Sequence, residues 1–207
     1  TRGESPRVRR PPDPIDQLLA LAPAARGIAS FFCPGGAWRA ACALRRGTRI
    51  FLVTGFAVGP GMAESDGPPG AALLGRALQR LGKSVTYVIG PATLPLLEAA
   101  LKELGAPAEI KTFPDGEPAS LAARRLLAAL VPTHLVAVET PGRAKDGDYW
   151  SARGESIAAW NARLDELFLR RSARITTVGI GDGGNEIGMG NVRQRLLRLG
   201  ARARKIA

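Results

Sequence analysis

The middle of the chain alternates short apolar runs with longer stretches whose apolar residues recur at helical spacing. Residues 49–54 (RIFLVT), 84–89 (SVTYVI), 134–139 (HLVAVE) and 175–180 (ITTVGI) have the pattern of strands buried on both faces, and 109–113 is a weaker fifth. Between them, residues 70–81, 91–104 and 117–130 show amphipathic helical periodicity, and a further helix is expected over 157–171. Strand and helix taking turns over short links predicts a Rossmann-like α/β fold, a parallel sheet of five or six strands with helices on both faces. In such a sheet ligands bind beyond the carboxyl ends of the strands, so the residues after each strand are the ones to inspect.

Three of those segments are rich in chemistry. The first strand ends in Thr54-Gly55-Phe56, and the link continues through Glu64, Ser65 and Asp66 to Gly67-Pro68-Pro69-Gly70, where the prolines stiffen the approach and Gly70 opens the next helix without side-chain bulk. The strand at 134–139 is followed by a long charged loop holding Glu139, Arg143, Asp146, Tyr149, Trp150 and Arg153. The last strand runs into residues 179–192 (GIGDGGNEIGMGNV), whose glycines allow positive φ and close approach to a ligand. A helix start beyond it would aim free N–H groups at an anion. No Gly-Lys-Ser/Thr follows the turn at Gly70 and no GxGxxG follows the first strand, so no nucleotide cofactor is expected.

Composition narrows the classes. At 207 residues with 45% hydrophobic content, the chain can bury one good core, and no apolar stretch is long enough for a membrane span. The net charge of +11 raises the question of nucleic acid, but four arginines lie in residues 1–10 and six cations with no acid in residues 193–207. The body between them is nearly balanced, and aromatic side chains to interleave with the cations are scarce, so no nucleic-acid partner is expected. Residues 1–14 read as a disordered, basic, Pro-rich leader, 15–192 as the α/β domain and 193–207 as a basic helical tail. Cys33 and Cys42 lack metal-ligand or CxxC spacing, which makes a reducing, cytoplasmic setting the default. The oligomeric state is not legible.

The four segments TGF (54–56), ESDGPPGA (64–71), GRAKDGDYWSARG (142–154) and GIGDGGNEIGMGNV (179–192), in this order and at these separations, resemble the D-glutamate cyclase C-terminal-like domain family. The resemblance runs from about residue 26 to residue 192. It implies a hydro-lyase that reversibly dehydrates D-glutamate to 5-oxo-D-proline, in the bacterial cytoplasm or, for an animal source, in mitochondria. Two departures stand out. Ser65 replaces the usual threonine, keeping the hydroxyl. Relatives continue past the GMGN segment into another strand and a Trp-Gly-Gly segment, whereas this chain runs into its basic tail, so a fragment or a shortened paralogue is expected.

The chemistry also follows from the residue types. Closing glutamate into a lactam needs an unprotonated α-amine, a neutralised γ-carboxylate and a proton for the oxygen that departs as water. Arg143 and Arg153 are candidates to hold the substrate's two carboxylates by bidentate contacts. Thr54, Gly70, Gly183, Gly184 and Asn185 are further candidate substrate contacts, and Asp66, Asp146 and Asp182 are candidate proton carriers. Tyr149 is either a donor to an oxyanion or a packing anchor. Convergence of Asp66, Asp146, Asp182 and Glu186 would raise a carboxyl's pKa into the useful range, while Glu64, Asp66, Asp182 and Glu186 could equally hold Mn²⁺ or Mg²⁺ through oxygen. Plainer readings stand beside these: Asp66 as a helix cap, Glu64 as a solvated group, His134 as structural. Glu139 is either a ligand-facing acid or the partner of Arg143 or Arg153. A catalytically silent or divergent carboxylate- or phosphate-binding domain is the alternative to an enzyme.

Overall fold

A computed structural model describes residues 13–21, 32–106, 108–114 and 117–206. Most of the expected leader, residues 1–12, lies outside the described residues. Asp13 caps helix α1 (Pro14–Ala20) by accepting from the Ile15 N–H. Helix α2 (Gly36–Arg46) leads into strand β1 (Arg49–Thr54), and a small hairpin, β2 (Ala57–Gly59) and β3 (Met62–Ala63), leads on to helix α3 (Gly67–Arg80). Strand β4 (Ser84–Ile89), helix α4 (Leu94–Glu103), strand β5 (Glu109–Thr112), helix α5 (Ala119–Leu130) and strand β6 (His134–Val138) follow. Helix α6 (Asp165–Arg170) precedes strand β7 (Thr176–Ile180), and two short helices, α7 (Arg193–Leu196) and α8 (Ala201–Ile206), end the described chain.

The main sheet is parallel throughout, in the order β5-β4-β1-β6-β7. This is the Rossmann-like α/β arrangement that the alternating pattern predicts, except that β7, expected as a strand buried on both faces, is a largely exposed strand because it lies at the edge of the sheet. Side chains alternate faces along β1. Ile50 and Leu52 pack with Ala71, Ala72 and Leu78 of α3 and with Leu97 and Leu101 of α4, while Phe51 and Val53 pack with Ala122 and Ala123 of α5 and with Leu167 and Phe168 of α6. The chain leaves β1 in one direction to build β4 and β5, then returns to its other side for β6 and β7. The ends of β1 and β6 therefore flank the topological switch point. The register sets Thr54 beside Val138 and Val138 beside Ile180, so the residues after β1, β6 and β7 emerge at one level. No helix among the described residues is long and apolar enough to cross a membrane.

Three local departures from the pattern have physical causes. Helix α3 starts at Gly67 rather than Gly70, because Pro68 and Pro69 fit a first helical turn, where a missing N–H costs nothing. Residues 157–171 do not form one helix. Asn161 accepts from the Ala57 N–H and donates to the Ala57 and Ile157 carbonyls, which pins the chain after a 3₁₀ turn at Ala158–Trp160 and delays α6 to Asp165. The hairpin β2-β3, absent from the periodicity reading, turns through Gly59-Pro60-Gly61, with Gly61 at φ 68°.

Candidate active site

The loops after β1, β6 and β7 and the two C-terminal helices surround a cavity of about 730 Å³, within the size range of small-molecule sites. From the strand ends it receives Glu64, Ser65, Asp66, Glu139, Asp182, Gly183, Asn185 and Glu186. From the tail it receives Leu196, Leu199, Arg202, Ala203 and Ile206. Leu196 comes from α7 and Leu199 from the turn after it, Gly200 (φ 112°) breaks the helix, and Arg202, Ala203 and Ile206 come from α8.

Glu139 is the most perturbed group in the cavity. It directly follows β6 and holds a left-handed backbone, φ 44°, a conformation that a non-glycine residue keeps only when its surroundings impose it. Its N–H donates to the Ile180 carbonyl at 3.0 Å, extending the β6–β7 pairing by one bond. Gly67 packs directly against it: a Cβ there would lie 2.9 Å from the Glu139 Cβ and 3.1 Å from the Thr54 Oγ1. Burial, and then the like charges of Glu186, Asp182, Asp66 and Glu64, push the Glu139 carboxyl up to about 8. No hydrogen bond to that carboxyl is found among the described residues. Glu139 lines the cavity, and neither Arg143 nor Arg153 pairs with it among the described residues.

The glycine-rich loop binds an anion of its own. The Glu186 carboxylate accepts from the N–H groups of Asp182 (3.0 Å), Gly183 (2.5 Å) and Gly184 (2.8 Å). The loop's donors are thus turned on its own side chain, and side chains at Gly181 or Gly183 would collide with that carboxylate. Burial raises the pKa of Glu186 against the pull of those N–H groups. Asn185, also buried, donates to the Trp150 carbonyl at 2.6 Å and ties the loop to the segment after β6, where Gly142 donates to the Asn185 carbonyl and Ile187 to the Thr140 carbonyl. Asp182 is thereby carried on a rigid loop. The donors of Gly183 and Gly184 are engaged internally, although Gly183 lines the cavity.

Asp66 lines the same cavity and also caps α3, its Oδ1 accepting from the Gly67 N–H at 2.9 Å. An N-cap usually serves the second or third helical N–H, but Pro68 and Pro69 have none, so the helix start has little left to offer an exogenous anion. Thr54 is fully buried and donates to the Val138 carbonyl at 2.8 Å, tying β1 to β6 rather than facing the cavity. Gly70 lies one turn into α3, where a Cβ would meet Val138 of β6, and it is not among the residues that line the cavity.

The structure does not bring Arg143, Tyr149, Asp146 or Arg153 to this wall. Arg143 Nε lies 3.1 Å from Asp165 Oδ2 and its guanidinium donates to Glu166 at 2.5 Å, while Arg170 donates to the other Glu166 oxygen at 2.8 Å. Asp165 and Glu166 are both buried, so Arg143 compensates two charges that could not otherwise be interior. Burial works against ionisation of Glu166, yet the Arg143 and Arg170 hydrogen bonds hold it below its ordinary value. Tyr149, almost wholly buried, donates its hydroxyl to Asp165, and burial raises its pKa, so it clamps the loop to α6. Asp146 is exposed and accepts from the Asp148 N–H and the Trp150 indole, which lower its pKa, the opposite of what a general acid needs. Arg153 is exposed, and its backbone N–H donates to Ser151 Oγ.

Sequence reasoning missed the cavity-lining residues of the tail, Arg202 among them, and the buried pair Asp165 and Glu166 that holds Arg143 away from the cavity. An adjacent acidic pair inside an apolar helix, Leu164 to Phe168, was the available signal for that pair. Among the described residues, Glu139, Asp182 and Glu186 bring carboxylate oxygens within 4.8 Å of one another. Such a set of hard oxygen donors fits Mg²⁺ or Mn²⁺, and Glu186 Oε2, which accepts only from the Gly184 N–H, keeps one lone pair beyond those its loop engages. Glu64 and Asp66 line the cavity but stand outside that group.

Comparison with known proteins gives the family. A human protein named "D-glutamate cyclase, mitochondrial" is 32% identical over 199 residues, covering 89% of this chain and 32% of the relative's own length. The chain thus spans about a third of the relative it matches. The family described as "D-glutamate cyclase-like, C-terminal" matches residues 15–207, taking in the strand ends, the glycine-rich loop and the cavity-lining tail, and the chain belongs to that family.

Proposed function

We propose that this domain catalyses the reversible dehydration of D-glutamate to 5-oxo-D-proline. The observation that carries the reading is Glu139, a carboxyl with a pKa of about 8 in a cavity it shares with Asp66, Asp182 and Glu186. Such a group holds a proton at neutral pH and can give it up within the site.

In the forward direction the α-nitrogen of D-glutamate attacks the γ-carboxyl carbon. The new C–N bond closes the five-membered ring, and one γ-oxygen leaves as water. The ammonium nitrogen loses two protons and the departing oxygen gains two, so substrate and products carry the same net charge. Asp182 takes one proton from the nitrogen and Glu139 gives one to the departing oxygen; the ionised Glu139 then takes the nitrogen's second proton and Asp182 gives its own to the oxygen, which returns both carboxyls to their starting states, and the reverse reaction runs the same transfers backwards. Glu186 holds the loop that carries Asp182, and Asn185 fixes that loop to the segment after β6. The alternative use of the same cluster is as ionised ligands: Glu139, Asp182 and Glu186 would then hold Mn²⁺ or Mg²⁺, and a cation bound there would supply Lewis-acid polarisation of the γ-carboxylate in place of the Glu139 proton.

A phosphate-binding reading has less support, because the two donor sets that would serve it are spent: Pro68 and Pro69 lack N–H groups, and Glu186 occupies those of the loop. The free thiols of Cys33 and Cys42 suit a reducing compartment, cytoplasm or mitochondrial matrix, as part of the same proposal. The test is incubation with D-glutamate and separately with 5-oxo-D-proline, with and without Mn²⁺, both compounds followed by chiral chromatography. Interconversion is expected. A folded domain that converts neither under any condition would leave a binding-only domain.

A further inference from the structure

The charge inventory of the cavity is one-sided. Five acids line it, Glu64, Asp66, Glu139, Asp182 and Glu186, against a single cation among the described lining residues, Arg202 of α8. A substrate with two carboxylates and one ammonium can place its nitrogen among the acids. Its carboxylates need a positive partner, and Arg143 is committed to Asp165 and Glu166. Arg202 is exposed, and no hydrogen bond or ion pair engages it among the described residues.

Helix α8 is held in place. Leu196 and Ile206 are buried, Lys205 Nζ sits 3.9 Å above the centre of the Trp150 ring and donates to the Gly154 carbonyl at 2.7 Å, and Arg195 donates to the Phe32 carbonyl at 2.7 Å. These contacts tie the tail to the loop after β6 and to the segment before α2. The tail's basic residues therefore have assigned work: Lys205 and Arg195 fasten the helices, and Arg202 faces the cavity.

We infer that Arg202 binds the α-carboxylate of the amino-acid substrate, which makes the C-terminal helix part of the substrate site. This rests on the D-glutamate reading above. The choice between the two carboxylates follows from the chemistry. The γ-carboxylate must surrender an oxygen, and a guanidinium that held it as an anion would oppose its protonation. The α-carboxylate is unchanged between D-glutamate and 5-oxo-D-proline, so an arginine that grips it serves both directions equally. Interactions of this uniform kind lower KM and leave kcat little altered.

Calorimetry with the whole chain tests the assignment independently of turnover, using 5-oxo-D-proline and its neutral carboxamide as probes. Wild type is expected to prefer the acid by on the order of tenfold or more. Arg202→Gln is expected to lose that preference and Arg202→Lys to keep part of it. Where turnover is measured, R202Q should raise KM for D-glutamate and for 5-oxo-D-proline together. An unchanged preference in R202Q, or none in wild type, overturns the role of Arg202 while the glutamate reading stands. A folded wild type that binds neither probe nor D-glutamate overturns both.

Discussion

Replacing Glu139 by glutamine separates the buried-acid account from every structural alternative. In the unfolded chain this carboxyl titrates near 4.5; in the folded domain it does so at about 8. Between these values the native state keeps a proton that the unfolded state has lost, so stability falls as pH rises from 4.5 to 8 and levels off above. The gap taken at full value corresponds to ~5 kcal/mol. Water in an open cavity screens a half-buried group, and ~2 kcal/mol is the expected share. Glutamine has nearly the same shape and no charge to desolvate.

The assay is urea unfolding of wild type and Glu139→Gln from pH 4 to pH 9, with a chelator present so that no divalent cation competes for the carboxylate. The difference between the two proteins cancels all other titrating groups. It should be near zero at pH 4 and grow to ~2 kcal/mol in favour of E139Q at pH 8, several degrees in Tm. Turnover should drop by about a hundredfold to ten-thousandfold in the same variant. Wild type should itself lose activity above pH 8, as Glu139 gives up its proton. Parallel stability curves, or an E139Q protein less stable than wild type at pH 8, would refute the raised pKa; undiminished turnover would remove Glu139 from proton transfer.

Three further substitutions probe the rest of the site. Asp182→Asn should lower turnover on the order of a hundredfold with Tm nearly unchanged, and a variant that instead unfolds would reduce Asp182 to a structural group. Arg143→Ala should cost ~3 kcal/mol in urea unfolding, because it strands Asp165 and Glu166 in the interior; a raised KM at unchanged stability would return Arg143 to substrate binding. Gly67→Ala forces a methyl to 2.9 Å from the Glu139 Cβ. It should cost ~1–3 kcal/mol and displace Glu139, lowering turnover as well, whereas wild-type behaviour in both assays would mean the contact relaxes freely.

The fold was legible because the inner strands of a parallel sheet are buried on both faces and leave continuous apolar runs, which is why 49–54 and 84–89 coincide with β1 and β4 to the residue, whereas the edge strands β5 and β7 are largely exposed. Elements held by single polar contacts were not. Nothing in local periodicity tells that Asn161 will bond Ala57, more than a hundred positions away, and split the expected helix over 157–171. The site divides the same way. Asp66, Asp182, Glu64 and Glu186 follow strand ends, and the register that levels β1, β6 and β7 carries them to one cavity. Residues further along the loop after β6 have no such constraint. Arg143, Tyr149 and Asp146 lie outside that cavity because a 3.1 Å ion pair, a buried hydroxyl and an indole N–H decide their positions.

The glycine-rich loop shows why residue type alone misassigns charge. Glycines and open N–H groups after a strand have the same composition whether they cradle a ligand or a side chain of their own. Here the cradle is filled by Glu186, two to four residues along the chain from the N–H groups it accepts. With that anion built in, the loop adds negative charge to the cavity, and the prolines at the start of α3 remove the other backbone donors. Burial is the largest cause of the rise of Glu139 to about 8, and the Glu186 charge that adds to it follows from the way the loop folds onto itself. A cavity so charged can hold an amine readily and a carboxylate only beside an added cation. That cation has to come from outside the strand-end motifs, which is where α8 places Arg202.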